Sequence, residues 1–461
     1  MAIIKAFMVP HPPMIVPDIG RGGEKEIEET IKAYEQVADE IAEIKPETII
    51  ITSPHSIMYA DYFHISPGAK AKGNFARFNA ASVKFEENYD EELVNAICDL
   101  AYRDDFSAGT LGEKDKSLDH GTMVPLYFIR NKYKAGKIVR IGLSGLPLTD
   151  HYKFGMMINE AVTKLGRRTV FVASGDLSHK LQSYGPYGFA EEGPLYDERI
   201  MDVAKRAAFS EMLDFDEVFC DKAAECGHRS FVIMAGALDG MDVEANYLSH
   251  QDVTGVGYGI CTFKPIGLNE KRHFLKQHLS ALREKIENAR EQSDPYVKLA
   301  RRSLESFIVN GKVIKAPLDL PLEMLQDRAG VFVSIHKHGK LRGCIGTTGP
   351  TEICIADEII QNAISASTKD PRFDPITEDE LEWLEINVDV LTEPEPISSI
   401  DELDVKKYGV IVSCGGRRGL LLPDLDGVDT VEDQVQIAMD KGRIRRGESV
   451  SLQRFEVIRH V

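Results

Sequence analysis

Five residues spread through the first half of the chain are of the types that do metal and proton chemistry: His11, His55, His120, His179 and Glu225, separated by 44, 65, 59 and 46 residues. Each histidine lies beside Pro, Gly, Ser or Asp, in MVPHPP, TSPHS, LDHGT and SGDLSHK, a strand-end or turn setting rather than an apolar face. Imidazole and carboxylate are the side chains that hold a redox-active divalent metal. Two imidazoles and one carboxylate on one face of an octahedral ion leave positions open for a chelating substrate and dioxygen together, and His11, His55 and Glu225 fit that set. His120 and His179 then stand beside the metal, where an imidazole titrating near neutrality can take a phenolic proton and later return it. Asp176, shortly before His179, is placed to orient that ring. The plainer role of Glu225, in AAECGHRSF, is an acid at a helix start, where the dipole favours negative charge.

Residues so far apart need a scaffold that brings loops together. Over the first 265 or so residues, β-branched runs alternate with amphipathic charged stretches, which predicts an α/β fold with a central sheet flanked by helices. Strands are expected at 3–8, 48–52, 138–143, 169–173 and 256–263, and helices at 24–44, 91–102, 151–165 and 229–238. His11, His55 and His179 each follow an expected strand, and ligands of open α/β sheets bind outside the carboxyl ends of the strands. Three distant loops can therefore meet at one edge.

Residues 268–290 shift to a Lys, Glu, Gln and His mixture that reads as a solvated connecting helix, separating a domain at 1–267 from one at 291–461. The second domain is expected to be smaller and α+β, with helices at 294–309, 351–368 and 430–441 and strands at 331–336, 384–391 and 409–412. A length of 461 residues favours more than one core. The charge, 55 basic against 73 acidic residues or −18, argues against a sequence-independent grip on nucleic acid or an anionic membrane surface. No signal-peptide pattern or membrane-length apolar run is present, so a cytoplasmic protein is expected. Seven cysteines without a C-x-x-C pair read as free thiols.

PHPP at His11, SPHS at His55, DHGTMVPL around His120, SGDLSHK around His179 and ECG at Glu225 resemble the class III, LigB-type extradiol ring-cleavage dioxygenases and the related Memo proteins, over about 1–265. The resemblance implies Fe(II) held by His11, His55 and Glu225, with His179 and His120 as acid/base and oxygen-stabilising residues. It implies a catechol-like small molecule and dioxygen as substrates. Memo-type relatives can carry a thiol where Glu225 stands. A register one residue later would put the sulfur of Cys226 on the metal, which favours zinc or copper. The alternatives to ring cleavage are a non-catalytic Memo-like module binding a ligand or peptide, and a zinc-dependent hydrolase with His179 as base. Tyr59, Tyr184 and Tyr187 are pocket candidates by their closeness in sequence to His55 and His179; His64, His151, His228 and His250 are weaker candidates for the site.

Beyond the connecting helix, Leu341 to Gly346 reads LRGCIG. Two glycines let backbone approach Cys344, and Arg342 is placed to stabilise its thiolate; the plainer role is a buried thiol in a glycine-rich turn. A second stretch, Cys414 to Gly419, reads as a tight hairpin with a cationic tip. LRGCIG, KDPRF and GLLLPD resemble the AMMECR family over about 290–461. That resemblance implies a functional link to a radical S-adenosylmethionine protein. A homo-oligomer is expected.

Overall fold

The runs Ile3–Val9, Thr48–Ser53, Lys137–Gly142 and Thr169–Ser174 are strands in the computed structural model, which describes residues 3–113, 116–425 and 427–461. They are buried almost throughout, as parallel strands covered on both faces must be. The sheet runs in the order 137–142, 48–53, 169–174, 3–9, all parallel, and is extended by the antiparallel strands Tyr258–Leu268 and Met241–Gln251. Successive side chains take opposite faces. Met8, Ile50, Val139 and Phe171 share a core with helices Glu91–Arg103, Leu148–Leu165 and His228–Ala237. Phe7, Ile49, Ile51 and Val170 share another with helices Glu28–Ile44 and His120–Lys132.

Strand register is what makes this sheet a platform. Val9 pairs with Ser174, and Thr52 with Ala173, so three carboxyl ends stop at one level. His11, His55 and Asp176 each lie just past the last residues of those strands, Val9, Ser53 and Ser174. The sheet edge thus delivers three functional groups side by side.

The structure differs from expectation where amphipathic periodicity is weak. Helix Glu28–Ile44 starts later than 24 because Gly23–Ile27 forms a 3-10 turn. Helix His120–Lys132 contains Pro125 and is buried on nearly every side, which erases the polar stripe that marks a surface helix. The hairpin Lys70–Phe75 with Ala80–Asn88 is rich in Lys, Glu and Asn, and its two-residue alternation is irregular.

Met1–Leu279 forms one unit and Ser280–Val461 another, with helix Phe274–Gln292 running through the boundary. In the second unit, helices Pro295–Asn310 and Ile355–Thr368 share a core with the antiparallel sheet 340–346, 331–337, 384–391, 457–460. The other sheet, 395–397, 451–455, 409–414, 417–421, shares a core with helix Val431–Lys441. Helix Ile355–Thr368 begins later than 351 because the Thr351 and Glu352 N–H groups donate to the Glu358 carboxylate instead of entering the helix. All seven cysteines are free. Among the described residues no helix is long and apolar enough to cross a membrane.

Candidate metal centre

His11 is buried, and its surroundings decide which ring nitrogen carries the proton. Ser174 Oγ donates its one hydrogen to Gly121 O at 2.6 Å, so toward His11 Nδ1, 3.0 Å away, it can only accept. Nδ1 therefore bears the hydrogen, and Nε2 presents a lone pair. That lone pair faces His55 Nε2 at 2.9 Å and Cys226 Sγ at 3.6 Å. Burial, then the neighbouring His55, holds the His11 imidazole well below its ordinary range, so it is neutral.

His55 lies exposed at the mouth of the site. Its backbone N–H donates to Ser53 Oγ at 3.2 Å, and that hydroxyl donates to Asp119 at 2.5 Å. Asp119 also caps helix His120–Lys132 by accepting from Thr122 N–H. Helix start and His55 loop are thus pinned by one carboxylate. The His120 ring stacks on His55 with centroids 4.0 Å apart, and Phe78 meets it edge-on. Burial, then His55 and His11, pushes His120 down to about 3.

The third donor is where expectation and structure part. The Glu225 carboxylate accepts the His228 N–H at 2.6 Å, at the start of helix His228–Ala237, so it serves as the helix-start acid and not as a partner of His11 and His55. Burial raises it to about 7. Ala224, in the left-handed region at φ 54, lies at the turn from which Cys226, one residue past Glu225, reaches the His11 imidazole. The ligand atoms of His11, His55 and Cys226 lie within 4.8 Å of one another. Metal bonds of roughly 2.1 Å to nitrogen and 2.3 Å to sulfur place neighbouring donors about 3.0–3.6 Å apart; the His11–Cys226 separation of 3.6 Å lies at the upper end of that spacing and the His11–His55 separation of 2.9 Å just short of it. Two imidazoles held neutral by burial, together with a thiol, are chemically suited to one divalent ion.

Asp176 and His179 complete the cluster. Asp176 Oδ1 accepts the His11 N–H at 2.6 Å, while Oδ2 lies 4.0 Å from both His11 Nε2 and His179 Nε2. Burial raises the carboxyl to about 6 against the pull of that hydrogen bond. Burial lowers His179. Asp176 N–H donates to Cys226 Sγ at 3.3 Å, a favourable contact for a thiolate. Tyr187 stacks on His179 at 5.1 Å, Tyr184 is exposed, and Tyr59 donates to Gly112 O instead of lining the site. His151 and His228 are buried and bonded to the backbone carbonyls of Pro147 and Met212, and His250 pairs with Asp197. A cavity of about 990 Å³ opens at His55 and His120. Sequence reasoning missed Ser53, Ser174 and Asp119. The last was findable, since Asp ahead of His-Gly-Thr has the form of a helix N-cap.

The family model described as the catalytic LigB subunit of aromatic ring-opening dioxygenase matches residues 5–261, more than half of the chain. The chain belongs to the LigB family. The LigB domain is fused to an AMMECR1 domain at residues 297–460. A protein of Clostridium acetobutylicum is 41% identical over 468 residues, covering 100% of this chain and 99% of its own. A Thermotoga maritima protein is 52% identical over 168 residues, 36% of this chain and 97% of its own. Among solved structures, an uncharacterized protein from Pyrococcus horikoshii is 30% identical and covers 37% of this chain and 90% of its own, with a TM-score of 0.34. His11, His55, Asp176, His179 and Cys226 all lie within the residues that the LigB family model matches.

In the AMMECR1 domain, Arg342 does not serve Cys344. Its guanidinium donates to the Glu380 carboxylate at 2.9 and 3.0 Å and to Asp374 O at 2.8 Å. Cys344 instead donates its N–H to Asp370 at 2.9 Å, its sulfur accepts from Ser334 Oγ, and Arg372 donates to its carbonyl at 3.3 Å. The hairpin 409–421 forms as expected, with Arg417 at its tip paired to Glu448 at 2.8 Å.

Proposed function

We propose that the LigB domain holds one divalent ion, iron, through His11, His55 and Cys226, and oxygenates a catechol-like small molecule admitted by the cavity beside His55 and His120. The observation that supports this reading is the convergence of two neutral imidazoles and a thiol on one point, next to an imidazole and a carboxylate left over for proton handling. When bound, the metal would supply Lewis-acid and one-electron redox chemistry toward dioxygen.

The residues supply the rest. Ser174 and the Gly121 carbonyl keep the His11 Nε2 lone pair aimed at the donor cluster. Asp119 and Ser53 hold the His55 loop, and the His120 ring braces His55 from the cavity side. His179, neutral through burial, accepts a phenolic proton at Nε2, and Asp176 Oδ2 at 4.0 Å stabilises the imidazolium that results. Tyr187, stacked on that ring, shields it from water.

A second reading follows from the sulfur itself. A thiolate donor suits zinc, and then the cluster serves a hydrolase with His179 as base, or a pocket that binds without turnover. Metal analysis after anaerobic purification, with oxygen uptake on a catechol panel in wild type and His179→Ala, separates these. Iron with uptake that His179→Ala abolishes is expected. Zinc with no uptake, or uptake unaffected by His179→Ala, contradicts the proposal.

A further inference from the structure

The turn of hairpin 409–421 reads CGGRRG over 414–419, and the end of helix Val431–Lys441 with the residues after it reads KGRIRRG over 441–447. Backbone contact makes these two stretches one surface. A Cβ on Gly419 would stand 1.8 Å from Ala438 O and 2.6 Å from Gly442 N. The Arg417 guanidinium crosses the seam, donating to Arg443 O at 2.8 Å and to the Glu448 carboxylate at 2.8 Å, and Glu448 also accepts the Arg445 N–H at 2.7 Å. Arg417, Arg418, Lys441, Arg443, Arg445 and Arg446 are all exposed. Residues 413–419 and 440–448 hold those six cations and only two carboxylates, Asp440 and Glu448, in a chain whose net charge is −18. The side chains of Arg418, Lys441, Arg443 and Arg446 have no hydrogen-bond or ion-pair partner among the described residues. Nothing lies within 4 Å of where a Cβ would stand on Gly415, Gly416 or Gly447, so the surface is open.

Cations gathered this closely repel one another, and an anionic partner relieves that repulsion. Glu448 shows which anion the surface suits. Its carboxylate is seated between a guanidinium and a backbone N–H, in charge-assisted hydrogen bonds. We propose that this surface of the AMMECR1 domain docks a carboxylate-rich, extended segment of a partner protein, whose acidic side chains repeat the Glu448 contact on Arg418, Arg443 and Arg446. A nucleic-acid duplex is a worse fit, because a rod carrying one charge per ~1.7 Å would run past the two stretches onto a protein where acidic residues outnumber basic ones. Neither stretch carries a large exposed apolar side chain that could enter a bilayer or stack on a base. The surface belongs to the second domain, and its occupancy does not depend on the metal.

Fluorescence anisotropy of labelled octaglutamate, titrated with the full chain at low ionic strength, is expected to show saturable binding that weakens steeply as salt screens the exposed charges. Arg418→Gln with Arg443→Gln and Arg446→Gln removes three contacts and is expected to weaken that binding about ten-fold. These side chains make no internal bond among the described residues, and an unchanged unfolding midpoint confirms that the triple variant folds. Glu448→Gln works in the opposite direction: removing the resident carboxylate charge frees Arg417 for the peptide, and binding is expected to tighten about three-fold. Equal affinity in wild type and the triple variant, or no binding of octaglutamate to wild type, overturns the proposal. So does a short DNA duplex that binds more tightly than octaglutamate and is lost in the triple variant, which would assign the surface to nucleic acid. Salt-sensitive self-association in sedimentation, lost in the triple variant, would assign it to a second copy of the chain and overturn the proposal as well.

Discussion

Gly121→Ala adds one methyl group where the start of helix His120–Lys132 meets the Ser53 and Asp119 side chains that hold the His55 loop. A Cβ there would stand 2.3 Å from Ser53 Oγ, 3.1 Å from Asp119 Oδ1 and 3.4 Å from His55 Cδ2. The first distance is far inside contact, and Ser53 Oγ cannot yield freely because it donates to Asp119 and accepts from the His55 N–H. Helix propensity acts the other way: Ala in place of Gly favours helix His120–Lys132 by up to about 1 kcal/mol, and by less in its first turn. Overpacking typically costs about 1–3 kcal/mol, and disturbing a hydrogen bond to a carboxylate adds roughly 1.5–3 kcal/mol. The clash wins, with a net loss on the order of 2 kcal/mol. Because the groups that move support His55, metal affinity is expected to fall about 10–100-fold. Urea unfolding of the metal-free chain measures the first effect, and competition with a chelator measures the second. A variant as stable as wild type with undiminished metal affinity would refute the reasoning.

Three other perturbations separate the roles assigned above. Ser174→Ala removes the acceptor that fixes the proton on His11 Nδ1, and metal affinity measured by chelator competition is expected to drop about ten-fold or more; unchanged affinity would show that the tautomer is set elsewhere. Glu225→Ala takes away the acceptor of the His228 N–H and is expected to cost about 1–2 kcal/mol in urea unfolding while metal stoichiometry stays the same; loss of metal would return Glu225 to the donor set. Burial alone would raise the Glu380 carboxyl, but donation from Arg342 and Lys337 outweighs it and holds the group at about 2. A carboxyl depressed in the folded state contributes stability that is present above its unfolded value, about 4.3, and is lost as the pH falls through the folded value. Denaturant midpoints of the second unit should therefore decline between roughly pH 4.5 and 2, and Glu380→Gln should be less stable at pH 7 and flatter across that window. Parallel profiles for the two chains would contradict the assignment.

How much of this could be read from the letters depended on whether local pattern or tertiary direction carried the information. The β-branched runs at 3–8, 48–52 and 169–173 were visible, and with them the meeting of the loops of His11, His55 and His179 at one sheet edge; that Asp176 comes first after the third strand was not. The choice between Glu225 and Cys226 was not, because it turns on a left-handed residue at Ala224 and on which side chain the helix start captures. Helix His120–Lys132 left no periodic trace because burial on nearly all sides removes the polar face, and Pro125 argues locally against a helix. The hairpin 70–88 that lines the cavity was hidden in a charged, irregular stretch. Arg342 stands close to Cys344 in sequence, yet its guanidinium reaches across to Glu380, a partner far along the chain that spacing does not reveal.

X-ray absorption at the metal edge of the full chain, reconstituted anaerobically with one equivalent of Fe(II), bears most directly on the donor set. A shell containing one sulfur together with imidazole nitrogens, with the sulfur lost in Cys226→Ser and kept in Glu225→Gln, is the expected result. A shell of nitrogen and oxygen alone, unaltered in Cys226→Ser and changed in Glu225→Gln, would contradict it.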